Sequence, residues 1–189
     1  MKRIAVYCGS SPGNSPSYAD AARQLADTLV EQSIELVYGG ASRGLMGVIA
    51  DRVMQQGGKA IGIIPQSLLD REVAHGSISE LIVVNSMHER KAAMMDMSQA
   101  FIAMPGGAGT VEEIIETFTW AQLQFHDKPC GVLNVDGYFD KLLEFFDGAV
   151  TEGFLREGHR GILLSDSDPT ALLAKFREYS PPIVEKWVD

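Results

Sequence analysis

The chain has 189 residues, of which 46% are hydrophobic and 22% are charged. This length and composition are typical of one globular domain and exclude a fibrous, disordered or membrane-spanning protein. The formal net charge of -9 would repel phosphodiester backbones and anionic lipid surfaces, so neither nucleic acid nor a membrane is an expected partner.

The chain contains two cysteines, Cys8 and Cys130, which stand in separate apolar runs and lack the spacing of metal ligands. We expect buried, reduced thiols and no bound metal. The basic start of the chain precedes an apolar run that ends at Gly9, which is too short for the core of a signal peptide. A cytoplasmic protein is therefore expected.

Short apolar runs alternate with helical patterns along the whole chain. The runs have the composition of buried parallel strands. They cover residues 4–8, 36–38, 60–64, 81–84, 100–104, 130–135 and 161–164. Helical periodicity is found after Ser15-Pro16, at 45–53, 87–98, 111–118 and 138–150, and after Asp168-Pro169.

This alternation predicts right-handed βαβ units and a single α/β domain over residues 1–189. We expect a Rossmann-like, doubly wound, mostly parallel sheet of about seven strands with helices on both faces. The one long irregular stretch, 65–79, carries Glu72 and His75. Irregular stretches of this length in compact domains are often functional.

Glycine-rich segments follow three of the predicted strands, at 9–13, 39–47 and 105–110. In such a sheet, ligands bind beyond the carboxyl ends of the strands. Glycine amides that lead into a helix favour phosphate, although the same glycines could serve only as tight turns. The chain lacks GxGxxG after its first strand, which disfavours NAD, and it lacks GxxxxGK[ST], which excludes a P-loop ATPase. A mononucleotide fits this pattern best.

The helical segment 87–98 places Arg90 and Lys91 within its methionine stripe. Two cations on an apolar face are costly unless an anion meets them there, or unless their stems are buried while their charged groups reach water. We interpret the pair as an anion-binding site. Arg90 suits bidentate contacts with phosphate or carboxylate, and Lys91 supplies a compact point charge.

Glu113 lies one turn beyond Thr110, on the polar side of the helix that follows the third glycine segment. A carboxylate there could stabilise positive charge on a sugar or activate water. Glutamates near a helix N-terminus commonly complement the helix dipole, and we assign that role to Glu112 and Glu116. Trp120 lies on the same polar side, which predicts a subunit contact or a wall of the site.

Two motifs carry a resemblance to a known family: MHERK at 87–91, and PGGxGTxxE, which runs from Pro105 to Glu113. The chain resembles the Lonely guy (LOG) family of cytokinin-activating phosphoribohydrolases, often mislabelled as lysine decarboxylases, from position 4 to about position 162. The resemblance implies hydrolysis of the N-glycosidic bond of an adenosine-type nucleoside 5′-monophosphate, either a cytokinin riboside monophosphate or AMP, to free base and ribose 5-phosphate. It also implies a homodimer, and we expect no cofactor.

The resemblance further implies roles for individual residues. Arg90 and Glu113 match the pair regarded as catalytic in the family. The expected substrate-binding and phosphate-binding residues are Gly9, Ser10, Gly39, Gly40, Glu72, Met87, Lys91, Pro105, Gly106, Gly107, Gly109 and Thr110. At Ala41 many relatives carry a third glycine, and they lack the arginine found here at Arg43. This departure leaves the local backbone geometry and the base preference open.

Two other functions compete with this interpretation. A non-catalytic carrier of a nucleotide or of the molybdenum cofactor is an alternative, because such carriers have a related fold and glycine loop. A lysine decarboxylase is a weaker alternative, because the sequence sets no Schiff-base lysine apart.

Overall fold

The structure, a computed structural model, describes residues 1–69 and 74–182. The strands are β1 (Arg3–Tyr7), β2 (Glu35–Tyr38), β3 (Ala60–Pro65), β4 (Glu80–Val84), β5 (Ala100–Ala103), β6 (Cys130–Leu133) and β7 (Leu163–Asp166). The helices are α1 (Pro16–Glu31), α2 (Gly44–Gln55), α3 (Met87–Met97), α4 (Ala108–Gln122), α5 (Asp140–Thr151), α6 (Glu157–Arg160) and α7 (Pro169–Glu178). This alternation confirms the predicted fold class.

The seven strands form one sheet in the order β4-β3-β2-β1-β5-β6-β7, and every neighbouring pair is parallel. The chain winds outward from β1 to one edge, returns to the centre, and winds outward again from β5. The direction of winding therefore changes between β1 and β5, which end together at the pair Tyr7↔Ala103. In open α/β sheets this switch point is where a ligand crevice forms.

Helices cover both faces of the sheet because the side chains of each strand alternate between two cores. In β1, Ile4 and Val6 point into the core formed with α1, α2 and α7. Ala5 and Tyr7 point into the opposite core, which α3, α4 and α5 cover. Helices on both faces are thus confirmed.

Three strand predictions need correction. The run at 81–84 was predicted to be buried, but β4 is an edge strand and Val83 is 44% exposed, because among the described strands β4 pairs with β3 alone. The run at 130–135 ends as a strand at Leu133, since the chain then turns through Asp136, whose φ is 51°. The run at 161–164 begins as a strand only at Leu163.

The irregular stretch 65–79 begins with a short 3-10 turn, Gln66–Leu68, and returns to the sheet beside β2. There His75 is buried, its backbone N–H donates to the Gly40 carbonyl, and its ring lies 3.1 Å from Asp51. Glu72 lies outside the described residues. In the part of the chain that the structure describes, no helix is long and apolar enough to cross a bilayer.

Candidate active site

A cleft of about 330 Å³ opens at the switch point, beyond the carboxyl ends of β1, β2 and β5. The structure brings most of the predicted site residues together in its wall. They are Gly9, Ser10, Gly39, Met87, Arg90, Gly107, Gly109, Thr110 and Glu113. Met46, Leu68 and Met94 also line the cleft and were not predicted as site residues. Met94 belongs to the methionine stripe that the sequence displays, whereas nothing in the periodicity marks Leu68.

Four predicted residues do not line this cleft. Pro105 and Gly106 line a second cavity of about 270 Å³ on the other side of the glycine loop. Gly40 makes the turn after β2 with a φ of 80°, and a Cβ there would lie 3.3 Å from the Cβ of Ile64. Lys91 lies beside the cleft, with its ammonium group turned toward α4.

The glycine loop leads directly into α4, with Gly107 as the N-cap and Ala108 as the first helical residue. The first helical hydrogen bond runs from the Val111 N–H to the Gly107 carbonyl, so the amides before Val111 have no acceptor within the helix. They carry the positive end of the helix dipole into the cleft wall. The site is therefore suited to an anion.

The glycines of this loop differ in what surrounds them. A Cβ at Gly106 would collide with the Thr110 side chain, so tight packing requires that glycine. A Cβ at Gly107 or Gly109 would meet no atom of residues 1–69 or 74–182 within 4 Å. Packing alone therefore does not explain the last two glycines, while free approach of a ligand to the backbone does.

Arg90 and Glu113 face each other across the cleft wall, from α3 and α4. Arg90 Nη2 lies 3.6 Å from Glu113 Oε1, and the side chains are 8% and 12% exposed. The Arg90 Nε is buried and has no hydrogen-bond partner among the described residues. The guanidinium therefore keeps donor capacity for a ligand, because a buried donor without an acceptor is costly.

Gly39 makes room for Arg90. A Cβ at this position would collide with Nη2 of Arg90 and come within 2.8 Å of the Met46 sulfur. The guanidinium thus packs directly against the backbone that follows β2. This contact gives the second glycine segment a definite structural role in the site.

Lys91 binds two carboxylates of α4. Its Nζ lies 2.7 Å from Glu112 Oε1 and 2.9 Å from Glu116 Oε1. The hydrogen bond with Glu112, followed by that with Glu116, raises the pKa of Lys91. The role assigned to Glu112 and Glu116 was therefore wrong: α4 begins at Ala108, so neither lies in the first turn, and both accept hydrogen bonds from Lys91.

Two ionisable side chains form the floor of the cleft. Cys8 and Tyr7 are both buried, and burial raises the pKa of each far above its ordinary value. The nearby Glu113 carboxylate raises the pKa of the Cys8 thiol further. Because the thiolate is the nucleophilic form, Cys8 is not an activated nucleophile.

The departure from the family pattern at Ala41 is accommodated without strain. Ala41 is buried and forms an isolated antiparallel bridge with Ala74, and its φ is not positive. Gly44 does need to be glycine, because its φ is 61° and a Cβ would collide with the Ser10 backbone. Arg43 is exposed and does not line the cleft.

Trp120 lines neither of these two cavities. Its ring packs edge to face against Phe125, with 6.4 Å between the ring centroids. Its prediction as a wall of this cleft was therefore wrong, because the ring is partly buried against the hydrophobic core that α3, α4 and α5 cover. Among residues 1–69 and 74–182, no group of three or more His, Cys, Asp or Glu side chains could hold a metal ion.

The fold and site define a Rossmann-like α/β protein with a crevice at its switch point, beside the N-terminus of α4. A family model described as "Possible lysine decarboxylase" matches residues 46–176. The chain is 53% identical to the cytokinin riboside 5′-monophosphate phosphoribohydrolase LOG2 of Arabidopsis thaliana, over 96% of this chain and 85% of that protein. It is 51% identical to the phosphoribohydrolase LOG of Oryza sativa subsp. japonica, over 96% of this chain and 75% of that protein. The chain therefore belongs to the LOG family.

Solved structures with the same fold include the Moco carrier protein of Chlamydomonas reinhardtii, with a TM-score of 0.71 and 18% identity over 94% of this chain and 96% of that one. The molybdenum cofactor binding protein of Rippkaea orientalis has a TM-score of 0.70 and 21% identity over 94% and 96% of the two chains. At these identities the likeness concerns the fold alone.

Proposed function

We propose that this chain hydrolyses the N-glycosidic bond of adenosine-type nucleoside 5′-monophosphates and releases the free base and ribose 5-phosphate. Cytokinin riboside 5′-monophosphates are the expected substrates because relatives at 53% and 51% identity are named for that activity. AMP is proposed as a second substrate. The observation that carries the proposal is the buried Arg90–Glu113 pair beside the open N-terminus of α4.

The 5′-phosphate of the substrate is assigned to the N-terminus of α4. Its oxygens would accept hydrogen bonds from the unpaired amides of the first turn, and the missing side chains of Gly107 and Gly109 leave room for them. A bound phosphate needs no metal or basic cluster at such a place. This accounts for a phosphate site in a chain with a net charge of -9.

Glu113 is assigned to the sugar. It stands four residues beyond Gly109, about 6 Å further along the helix axis at 1.5 Å per residue. A phosphate at Gly109 therefore brings the attached ribose alongside Glu113. There the carboxylate would stabilise positive charge at C1′ in an oxocarbenium-like transition state, or orient the water that attacks C1′.

Arg90 is assigned to substrate positioning and to ionic pairing with Glu113. Its guanidinium lies 3.6 Å from that carboxylate, on the opposite wall of the cleft. Arg90 lines the cleft, so its guanidinium would donate to a phosphate or ribose hydroxyl oxygen that enters. Catalysis thus depends on both members of the pair.

The base is assigned to the side of the cleft that Met46, Met87 and Met94 line. Methionine side chains are flexible and polarizable, so they adapt to planar rings and to aliphatic chains of different length. This lining supports a purine with or without a prenyl substituent.

Lysine decarboxylation is disfavoured by the state of Lys91. A lysine that forms a Schiff base needs a lowered pKa, because only the neutral amine attacks a carbonyl. The pKa of Lys91 is raised by its hydrogen bonds with Glu112 and Glu116. Among the described residues, no lysine lines the cleft.

We also propose that the protein forms a homodimer in the cytoplasm and acts on a small molecule without a nucleic-acid or membrane partner. Large exposed aromatic side chains, Phe125, Phe145 and Phe154, support an apolar contact with a second copy. Trp120 packs against Phe125 and would adjoin that contact. Light scattering coupled to gel filtration tests the proposed dimer.

The decisive experiment is incubation of the purified protein with isopentenyladenosine monophosphate and, separately, with AMP. Free base and ribose 5-phosphate are measured by chromatography. Equal amounts of the two products are expected, and adenosine, which lacks the phosphate, should react far more slowly.

The control variant for this experiment is Glu113→Gln, which keeps the shape of the side chain. It should release no base above background while still binding AMP by calorimetry. Binding of AMP to the wild-type chain without any release of base would favour the carrier alternative and contradict the proposed hydrolysis.

A further inference from the structure

Tyr138 contacts the glycine loop from the side opposite to the Arg90–Glu113 pair. Its hydroxyl group donates a hydrogen bond to the Gly106 carbonyl oxygen, with 2.6 Å between the oxygens. Tyr138 lines the second cavity, together with Tyr18 and Gly106. The main cleft and the second cavity share Gly9, Ser10 and Gly107, while Gly106 lines the second cavity and not the main cleft, so the Gly106–Gly107 peptide lies at the border between them.

The hydrogen bond from Tyr138 determines which way this peptide faces. In a planar trans peptide, the carbonyl and the N–H point in opposite directions. Because the Gly106 carbonyl points to Tyr138 on the side of the second cavity, the Gly107 N–H points away from it, to the side of the main cleft. That N–H is the N-cap amide of α4 and belongs to the anion site.

The opposite orientation of the same peptide would damage the anion site. Rotation of the Gly106–Gly107 peptide would turn a carbonyl oxygen toward a bound phosphate and turn the N–H away from it. Two consecutive glycines offer little steric resistance to such a rotation. An external hydrogen bond is therefore needed to favour one orientation.

The surroundings of Tyr138 fix the position of its hydroxyl group. The ring packs edge to face against Tyr18 and Phe139, with centroid distances of 5.6 and 5.1 Å. The turn before it contains two residues of positive φ, Asp136 and Gly137. The Ser17 hydroxyl donates to Asp136 at 2.6 Å and ties this turn to α1.

We propose that Tyr138 is a positioning residue for the phosphate subsite: its hydroxyl group holds the Gly106 carbonyl so that the Gly107 amide faces the substrate phosphate. This inference rests on the proposed binding of a 5′-monophosphate at α4. Tyr138 itself touches neither the sugar nor the base. Its removal should therefore weaken the recognition of the phosphate and leave the chemical step almost unchanged.

The test compares Tyr138→Phe with the wild-type chain, since this change keeps the ring and removes only the hydroxyl group. For AMP, KM should rise about five- to tenfold, in line with the loss of one hydrogen bond, while kcat stays within about twofold. Tyr179→Phe, at a residue that lines neither cavity, is the matched control and should leave KM unchanged.

A binding experiment separates this inference from the proposed hydrolysis. In the Glu113→Gln background, calorimetry with AMP and with adenosine is repeated with and without Tyr138→Phe. The affinity for AMP should fall about five- to tenfold, and the affinity for adenosine should stay the same. This result is meaningful even if the wild-type chain hydrolyses neither nucleotide.

Two results would overturn the inference. An equal loss of affinity for AMP and adenosine would assign Tyr138 a general structural role. Unchanged AMP binding in Tyr138→Phe, combined with a loss in Tyr138→Leu, would assign the effect to the ring rather than to the hydroxyl group. Circular dichroism and thermal unfolding of each variant verify that the compared proteins are folded.

Discussion

Arg90 Nη2 and Glu113 Oε1 are 3.6 Å apart, close enough for strong attraction but beyond the usual length of a hydrogen bond. The two groups therefore attract each other as opposite charges rather than through a short hydrogen bond. The carboxylate belongs to α4 and the guanidinium to α3, so their separation is set by the packing of two helices. Changes in that packing should affect activity even where no ligand contact is lost.

Replacement of Arg90 by Lys should keep the positive charge and lose the planar fork of donors. We expect kcat/KM to fall by about a hundredfold, because Lys cannot reproduce a bidentate contact or the buried Nε donor. Steady-state release of base measures this effect. Unchanged kcat/KM in Arg90→Lys would show that only the charge is required.

Gly39→Ala should lower kcat/KM, although Gly39 has no side chain that could take part in the reaction. The added methyl group collides with the Arg90 guanidinium and crowds the Met46 sulfur, so the guanidinium must move. Misplacement of a catalytic group by about 1 Å can cost about a hundredfold in rate. We expect a loss of this order in kcat/KM, measured by release of base.

Gly148→Ala is the control for Gly39→Ala. Gly148 is exposed in α5, a Cβ there meets no neighbour, and the residue is remote from the cleft. Its activity should equal that of the wild-type chain. Equal activity in Gly39→Ala as well would contradict the proposed packing of Arg90 in the active state.

Gly109→Ala should increase stability and weaken substrate binding at the same time. A Cβ at position 109 meets no atom of the part of the chain that the structure describes, and alanine stabilises a helix by about 0.5–1 kcal/mol relative to glycine. The same methyl group would occupy the space assigned to the phosphate. The free energy of unfolding from urea titration should rise, while KM for AMP should rise about tenfold, which corresponds to about 1.4 kcal/mol. Increased stability with an unchanged KM for AMP would show that the phosphate does not bind at Gly109.

The sequence alone predicts the sheet, its covering helices and the strand ends that form the cleft, because these depend on local periodicity. It also places Arg90 within an apolar stripe and Glu113 beyond a glycine loop. It does not predict the ion pairs that Lys91 forms with Glu112 and Glu116, because the periodicity of each helix does not show how α3 packs against α4. The adjacent residues Arg90 and Lys91 consequently have different environments, one buried beside the cleft and the other bound to Glu112 and Glu116.

Tyr138 illustrates a second limit of sequence-based prediction. It lies 32 residues from Gly106, just after a turn whose backbone has positive φ at Asp136. The helical periodicity assigned to 138–150 is confirmed from Asp140 onward and contains no sign that Tyr138 reaches the glycine loop. Such a contact depends on the spacing of β5 and β6 and becomes visible only in three dimensions.

Lys91→Met should show whether Lys91 holds α3 against α4 or binds the substrate. Loss of the ammonium group leaves Glu112 and Glu116 as like charges one turn apart, so we expect the free energy of unfolding to fall by about 1–2 kcal/mol. If Lys91 acts by holding α3 against α4, kcat should fall and KM for AMP should change little. A large rise in KM with kcat unchanged would instead support the substrate contact that the family resemblance implies.

The triple variant Lys91→Met, Glu112→Gln, Glu116→Gln controls for the repulsion between the carboxylates. It should recover part of the stability lost in Lys91→Met, because no like charges remain. Its kcat should remain low, since α3 and α4 still lack their ionic contact.

Glu35→Gln should destabilise the protein at neutral pH and have no effect in acid. Arg3 Nε donates to Glu35 Oε2 at 2.6 Å, and this hydrogen bond is the main reason that the pKa of the Glu35 carboxyl is lowered. A carboxyl whose pKa is lower in the folded state than in the unfolded state stabilises the fold when it is ionised. This stabilisation is complete above the unfolded pKa of about 4.3 and is lost as the pH falls through the folded pKa.

At about pH 7 we expect Glu35→Gln to lower the free energy of unfolding by about 1 kcal/mol, since the pair is partly exposed. Urea unfolding of both proteins should show this difference shrinking below about pH 4 and vanishing once Glu35 is protonated. A difference that stays constant into acid would mean that the glutamine disturbs packing between β1 and β2 rather than removing an ionic contact.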